Sequence, residues 1–258
     1  MIQRLSSFVK LAALAAAPAI LASPSARAGF DAYLYSAGHA DIQVGYENGE
    51  LTMFYELSGS AKVNGATLST EMDAAPTDVS VVIPETALVT GDGRLPSPFA
   101  GDPLYLIKDT SQGIATQPYL GFGAEDIDPG VFANDALTVT LTGFASSVTG
   151  GQAILYGSGF WASPNMNTAD GVSATDSITV YSLGHDHYNF GFTAAGTYDL
   201  TFTATGTLAD GGATLTVTDT FHFVVGDQPA AVPEPTSLAL SGLALGCAAL
   251  VAARRRSV

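Results

Sequence analysis

The sequence predicts an all-β protein whose body is an antiparallel β-sandwich. Short runs of alternating apolar and polar residues recur along the chain, turn-forming Gly, Pro, Asn and Asp separate them, and no stretch between residues 29 and 228 keeps a helical period. Residues 86–103 are predicted to form a long loop, because they are rich in Gly, Pro and Asp. The predicted strands after the first hairpin span residues 79–83, 104–107, 137–141, 153–156, 177–183, 197–205 and 213–225.

The first two strands form a predicted hairpin over QVGYENGELTMFYEL, residues 43–57. Asn48 and Gly49 mark the turn, because both residues tolerate the positive φ that a two-residue hairpin loop requires. Apolar residues alternate on either side of this turn and are expected to face the core: Ile42, Val44, Tyr46, Leu51, Met53, Tyr55 and Leu57.

The first 28 residues have the features of a secretory signal peptide. A positively charged start precedes an apolar core of alanine and leucine, and Ala26, Arg27 and Ala28 form a small-x-small cleavage signal. We therefore expect the Sec machinery to export the chain and signal peptidase to cleave it between Ala28 and Gly29. A retained N-terminal anchor is the alternative, and the short apolar core argues against it.

The C-terminal residues form a predicted membrane anchor. Residues 236–253 are apolar or small and carry no charge, a length close to the minimum for one membrane-spanning helix. Arg254, Arg255 and Arg256 follow directly, and arginines beside a span hold that end in the cytoplasm, so the body lies outside. Pro233 and Pro235 disfavour helix and keep the preceding linker extended.

The order of Pro233, Glu234, Pro235, the apolar run and the terminal arginines resembles the PEP-CTERM sorting signal of Gram-negative bacteria. The resemblance implies that an exosortase, a membrane transpeptidase-like protease, recognises and cleaves this tail. The motif residues and the arginines are then sorting determinants and not active-site residues. The resemblance also implies export across the inner membrane, transient anchoring, and release to the cell surface or extracellular matrix, with exopolysaccharide or envelope components as partners.

These features divide the chain into a signal peptide (1–28), a surface domain (29–228) and a sorting tail (229–258). The surface domain keeps 23 of the 24 acidic residues and 3 of the 9 basic residues, so its formal charge is −20 against −15 for the whole chain. Such a surface repels phosphate backbones, which excludes nucleic acid as a partner. The single cysteine lies in the tail, so the surface domain depends on core burial and not on disulfides.

Two short segments carry the residues best suited to metal chemistry. GHAD contains His39 and Asp41, and SLGHDHYNFGF contains His185 and His187. Residues two apart in a strand point to the same side, so each pair is a candidate chelate, with Asn189 expected on the side of His185 and His187. If the two strands are neighbours, three imidazoles and a carboxylate converge, a set suited to zinc or another divalent first-row metal. Alternatively, the histidines form hydrogen bonds across a loop or face solvent.

Four segments of the surface domain resemble the choice-of-anchor M family, which is related to actinobacterial surface-anchored proteins: GHADIQVGYENGEL, LYLIKDTSQGIATQPYLGFGAEDI, ILYGSGF and HDHYNFGFTAAGTYDLTFTATGTLADGG. Phe190 stands where the family more often has tryptophan. The resemblance implies an extracellular domain carried on one of several anchors, and relatives encoded beside metal-type transporters favour metal binding. The recurring residues fall on Gly38, His39, Asp41, Gln117, Pro118, Leu120, Gly121, His185, His187, Asn189 and Phe192.

The strand near residue 220 has a ladder of hydroxyls. Thr214, Thr216, Thr218 and Thr220 share one face, which we expect to face solvent, and His222 has the same parity and is expected to share it.

The predicted function is that of an exported, exosortase-processed surface protein with a structural or interaction role, and with a divalent metal as its candidate ligand. A metal-capture module that serves uptake is the first alternative, and a secreted carbohydrate-active hydrolase is the second. We expect no enzyme activity, because the chain contains no nucleophile elbow, no phosphate-binding loop and no His-Glu-x-x-His pattern.

Overall fold

A computed structural model describes residues 32–111, 114–158 and 163–226. Within these ranges the chain forms strands and four short 3₁₀ turns, at Pro76–Asp78, Glu85–Ala87, Ala133–Asp135 and Thr168–Asp170. The strands are β1 (Tyr33–Glu47), β2 (Glu50–Leu57), β3 (Lys62–Val63), β4 (Ala66–Thr67), β5 (Met72–Ala74), β6 (Val79–Ile83), β7 (Leu88–Thr90), β8 (Pro103–Ile107), β9 (Pro118–Gly123), β10 (Ala136–Ser146), β11 (Ala153–Tyr156), β12 (Met166–Asn167), β13 (Ser177–Tyr181), β14 (His185–His187), β15 (Asn189–Phe192), β16 (Gly196–Thr207) and β17 (Thr214–Val225).

The strands form two sheets. The larger, 12-stranded sheet has the order β13-β10-β16-β17-β6-β1-β2-β5, and β9 joins it by pairing with β1 on one side and β14 on the other. The smaller sheet has the order β12-β11-β15-β8-β7. The all-β prediction is confirmed. Most pairings are antiparallel, but β1 pairs parallel with both β6 and β9, and β17 pairs parallel with β6.

The long strand β1 changes partners near Gly38. Its first residues pair with β6, from Tyr33 to Tyr35, whereas Gly38 to Gln43 pair with β9. Gly38 has a φ of +89°, and a Cβ at this position would overlap the backbone oxygen of Ser60. Only glycine meets both conditions, so Gly38 lets β1 turn into its second pairing directly before His39.

Aromatic side chains fill the space between the sheets. Phe192 of the smaller sheet lies 4.9 Å from Tyr198 and 5.3 Å from Phe223 of the larger one, measured between ring centroids. Phe122 of β9 and Phe202 of β16, both strands of the larger sheet, meet edge to face at 5.2 Å in the same core. This apolar layer is the main core, and β9 packs against it through Phe122.

The first hairpin forms as predicted. Asn48 and Gly49 adopt φ values of +54° and +87° between β1 and β2. Six of the seven residues predicted to face the core are buried and Tyr46 packs against them. The later predicted strands also form, with small shifts at their ends: residues 177–183 give a strand that stops at Tyr181.

Two expectations were wrong in detail. The loop predicted over residues 86–103 contains strand β7, which pairs with β8. Thr214, Thr216 and Thr218 face solvent and Thr220 is half-buried, but His222 is only 5% exposed and lies 2.6 Å from Asp199. The reason is the extent of β6, which pairs with β17 only from residue 222 onward. His222 therefore lies between β16 and β6, whereas the threonines pair with β16 on one side only.

The terminal segments lie outside the described residues. This applies to the predicted cleavage position at Ala28 and Gly29, to the sorting residues Pro233, Glu234 and Pro235, and to the arginines 254–256. In the described ranges, no helix has the length and apolar character needed to cross a bilayer.

Candidate metal centre

Strand β9 separates the two segments that carry the candidate ligands. Asp41 of β1 pairs with Gly121 of β9, and Gly121 pairs in turn with His187 of β14. Asp41 and His187 therefore lie on either side of a residue that has no side chain. A Cβ at position 121 would overlap the Asp41 carboxylate and lie 3.1 Å from His187 Nδ1. Gly121 thus leaves the space in which the two side chains meet.

The four predicted metal ligands come together at this point. His39, Asp41, His185 and His187 each offer one ligand atom, and these atoms lie within 4.8 Å of one another. His39 Nε2 lies 3.1 Å from His187 Nε2 and 3.1 Å from Asp41 Oδ2, and His187 Nε2 lies 3.8 Å from Asp41 Oδ1. Two nitrogens bound to the same tetrahedral zinc ion lie about 3.3 Å apart, so this spacing matches that of a ligand set.

Exposure increases from the base of the cluster to its rim. The Asp41 side chain is fully buried, His187 is 9% exposed, and His39 and His185 are 25% and 36% exposed. Asp41 Oδ2 meets the ring of His39 at 3.1 Å, and the ring of His187 also interacts with the backbone of Leu120. The cluster therefore has a buried anionic base and a rim open to solvent.

The local charges act on His39 and His187 in opposite directions. The Asp41 carboxylate raises the pKa of His39, because it stabilises the protonated ring. Burial lowers the pKa of His187, and the neighbouring His39 and His185 lower it further, while Asp41 partly opposes this effect. His187 is thus held neutral, the form in which imidazole binds metals.

Tyr119 orients the His187 ring. The two rings stack with centroids 3.7 Å apart and an interplanar angle of 7°. Tyr119 precedes Gly121 by two residues on β9 and so lies on the same face of the strand. Its ring also lies 5.7 Å from that of His39, so it flanks both histidines.

A network of polar residues adjoins His185. His185 Nδ1 lies 2.8 Å from Glu125 Oε1, and Gln43 Nε2 donates to Glu125 Oε2 at 2.7 Å and to Glu56 Oε2 at 3.1 Å. Burial raises the pKa of Glu56 to about 7, and the nearby acidic groups Glu71, Glu125, Asp41 and Asp126 raise it further.

Asn189 does not join the cluster, contrary to the expectation from strand parity. β14 ends at His187 and β15 begins at Asn189 in the other sheet, so the side-chain alternation breaks between them. Asn189 Nδ2 instead donates to the carbonyl of Tyr156, and its Oδ1 accepts from the backbone of Asp109.

Sequence reasoning missed the contributions of Tyr119, Gln43 and Glu125. One signal was present: glycines at positions 121 and 123 alternate within a strand, and glycine inside a strand often marks a close approach of other groups. Here the two glycines make room for Asp41 and Gln43.

Fold and site together define an all-β domain with a histidine and aspartate cluster on one sheet face. The tail of the chain carries a sorting signal: a family model described as the PEP-CTERM protein-sorting motif matches residues 231–256. This motif marks an exported protein that is targeted to an exosortase, which is its processing partner. Neither the curated proteins nor the solved structures contain a match to the chain. The resemblance of the body to the choice-of-anchor M family stays a prediction.

Proposed function

We propose that this exported protein binds one divalent transition-metal ion, with zinc as the first choice, through His39, Asp41, His185 and His187. The protein is displayed on the cell surface or in the extracellular matrix of a Gram-negative bacterium. It has no catalytic step in this account, because four protein ligands complete a tetrahedral zinc site, whereas catalytic zinc sites keep one position open for water.

The observation that carries the proposal is the environment of Asp41. Its carboxylate is fully buried, and the side chains next to its oxygens are two imidazoles, His39 at 3.1 Å from Oδ2 and His187 at 3.8 Å from Oδ1. Burial of an unpaired carboxylate is costly, so such groups are normally paired with a cation or bound to a metal. The side chains that face Asp41 are imidazoles, His39 and His187, whose Nε2 atoms point at the same place. A bound divalent ion would compensate the buried charge.

Protonation of His39 is the competing way to compensate that charge. It would give one cation beside Asp41, in agreement with the raised pKa of His39. A hydrogen bond between the two rings would also account for the 3.1 Å between His187 Nε2 and His39 Nε2, but neither contact explains why His185 completes the set. Convergence of three imidazoles on one carboxylate supports metal binding over a single ion pair.

The donor set supports zinc over magnesium or calcium. Three imidazole nitrogens and one carboxylate suit late first-row divalent ions, whereas magnesium and calcium prefer oxygen ligands. The partly exposed rings of His39 and His185 offer the ion a route from solvent. The acidic composition of the body favours the approach of cations.

Two roles are compatible with such a site. The first is structural or interaction work in the envelope or exopolysaccharide matrix, with the metal as a stabilising element. The second is metal capture for uptake, and the exposure of His185 favours it, because an exposed ligand can be exchanged. Transfer of zinc to a chelator within seconds supports capture, whereas release only on unfolding supports the structural role.

Equilibrium dialysis of the full-length protein in detergent against zinc, followed by elemental analysis, tests metal binding. We expect one zinc per chain, and no zinc in a His185→Gln/His187→Gln variant. His222→Gln is the matched control, since His222 is a buried histidine paired with Asp199 away from the cluster. Equal zinc in the wild type and the double variant, or none in the wild type, would refute the proposed site.

A further inference from the structure

Gln43 lies where it can fix the position of Glu125. The amide is 1% exposed, and its Oε1 accepts from the backbone N–H of Glu125 at 3.2 Å. This contact orients the amide, so that Nε2 donates to Glu125 Oε2 at 2.7 Å and to Glu56 Oε2 at 3.1 Å. Both ends of the Gln43 amide are therefore used, and Glu125 is held through its backbone and its side chain.

The other carboxylate oxygen of Glu125 meets His185. Glu125 Oε1 lies 2.8 Å from His185 Nδ1, and a carboxylate only accepts hydrogen bonds, so the ring proton resides on Nδ1. Nε2 of the neutral ring then carries the free lone pair. A metal ligand needs such a lone pair, and the hydrogen bond at the second ring nitrogen decides which nitrogen has it.

The strand register brings this group together. Gln43 of β1 pairs with Gly123 of β9, and Gly123 pairs with His185 of β14. A Cβ at position 123 would lie 2.7 Å from Gln43 Oε1, so the glycine makes room for the amide. The row of Gln43, Gly123 and His185 therefore lies directly beside the row of Asp41, Gly121 and His187.

From this geometry we infer that Glu125, clamped by Gln43, is a positioning residue that holds His185 in the tautomer with Nε2 free to bind metal. The inference rests on the proposed function and names the residues that regulate the affinity of that same site. Glu125 does not bind the ion; it acts through the ring of His185. Outer-shell carboxylates of this kind typically contribute about 10- to 100-fold to metal affinity.

The tautomer of His185 can be observed without metal. Nitrogen-15 NMR of the full-length, histidine-labelled protein in detergent, at about pH 8.5 where an unperturbed imidazole is neutral, reports which nitrogen carries the proton. A His185→Gln variant assigns the signal. We expect a protonated Nδ1 in the wild type and a shift toward protonated Nε2 in Glu125→Leu, whose side chain cannot accept a hydrogen bond. An unchanged His222 signal shows that the fold is intact.

Zinc affinity provides the second measurement. Glu125→Leu should lower the zinc affinity about 10- to 100-fold. Glu125→Gln should lower the zinc affinity less, because glutamine keeps one acceptor oxygen whereas leucine has none. Glu50→Leu is the control, because Glu50 is an exposed acid at the tip of the first hairpin and its replacement removes the same charge. An unchanged His185 tautomer, or a loss no larger than that of Glu50→Leu, would overturn the inference and leave the zinc site standing. A wild type that binds no zinc would overturn the proposed function itself.

Discussion

Asp41 Oδ1 and His187 Nε2 lie 3.8 Å apart across Gly121, although 145 residues separate the two side chains in the chain. Neither strand pairs with the other; β9 lies between them and contributes a glycine at the point of contact. The candidate metal centre thus depends on three strands, one of which supplies space and not a ligand.

We expect Gly121→Ala to remove zinc binding and to lower stability. The added methyl group overlaps the Asp41 carboxylate, and inserting a group into a closely packed site typically costs about 1–3 kcal/mol. Zinc titration and thermal unfolding measure the two effects. Gly93→Ala is the control, since nothing lies within 4 Å of a Cβ at that position. Normal zinc affinity in Gly121→Ala would show that the ligands do not meet over this glycine.

Asp41→Asn should abolish the stabilisation that zinc provides. A ligand present at about 100 times its dissociation constant stabilises the folded state by about 2.7 kcal/mol. We expect zinc to raise the unfolding midpoint of the wild type and to leave that of Asp41→Asn unchanged, because the neutral amide does not compensate a divalent ion. The outcome that contradicts the account is an equal rise in both proteins, as would occur if zinc bound elsewhere.

Stability without metal should fall as the pH rises through the range of the Glu56 carboxyl. Its pKa is about 7 in the folded protein and near 4.5 in an unfolded chain, so the folded state binds more protons between these values. The contribution of Glu56 is therefore fully present below about pH 4.5 and is lost by about pH 7. Chemical unfolding at several pH values, with a chelator present, should show a smaller decline for Glu56→Gln than for the wild type. Parallel curves would mean that Glu56 titrates normally in the folded state.

Replacing Pro233, Glu234 and Pro235 with alanines should leave an uncleaved, membrane-held precursor. The PEP-CTERM model matches residues 231–256, which include this motif. Immunoblots of cell fractions from a strain that carries an exosortase measure the precursor and the processed form. Pro229→Ala lies outside the matched range and should be processed normally. Processing of the triple variant at the normal rate would argue against recognition of the motif.

The strands and the ligand types could be predicted because both depend on local patterns. Alternation placed His39 with Asp41 and His185 with His187, and the structure keeps both pairs. The insertion of β9 between them could not be predicted, because strand order depends on contacts between residues far apart in the chain. The positions of Asn189 and His222 could not be predicted for the same reason. The backbone at Asn189 passes into the second sheet, and His222 is buried where β6 pairs with β17.

X-ray absorption spectroscopy at the zinc edge, on the full-length protein loaded with one equivalent of zinc, shows whether the histidine cluster holds the ion. If it does, the spectrum shows nitrogen and oxygen ligands at about 2.0–2.2 Å and outer-shell scattering from three imidazoles, and the His185→Gln/His187→Gln variant, which retains no zinc at the cluster, loses this scattering. Sulfur scattering at about 2.3 Å would contradict binding at the cluster, because it would place the ion on Cys247 of the tail. Imidazole scattering that does not change in the variant would contradict it as well.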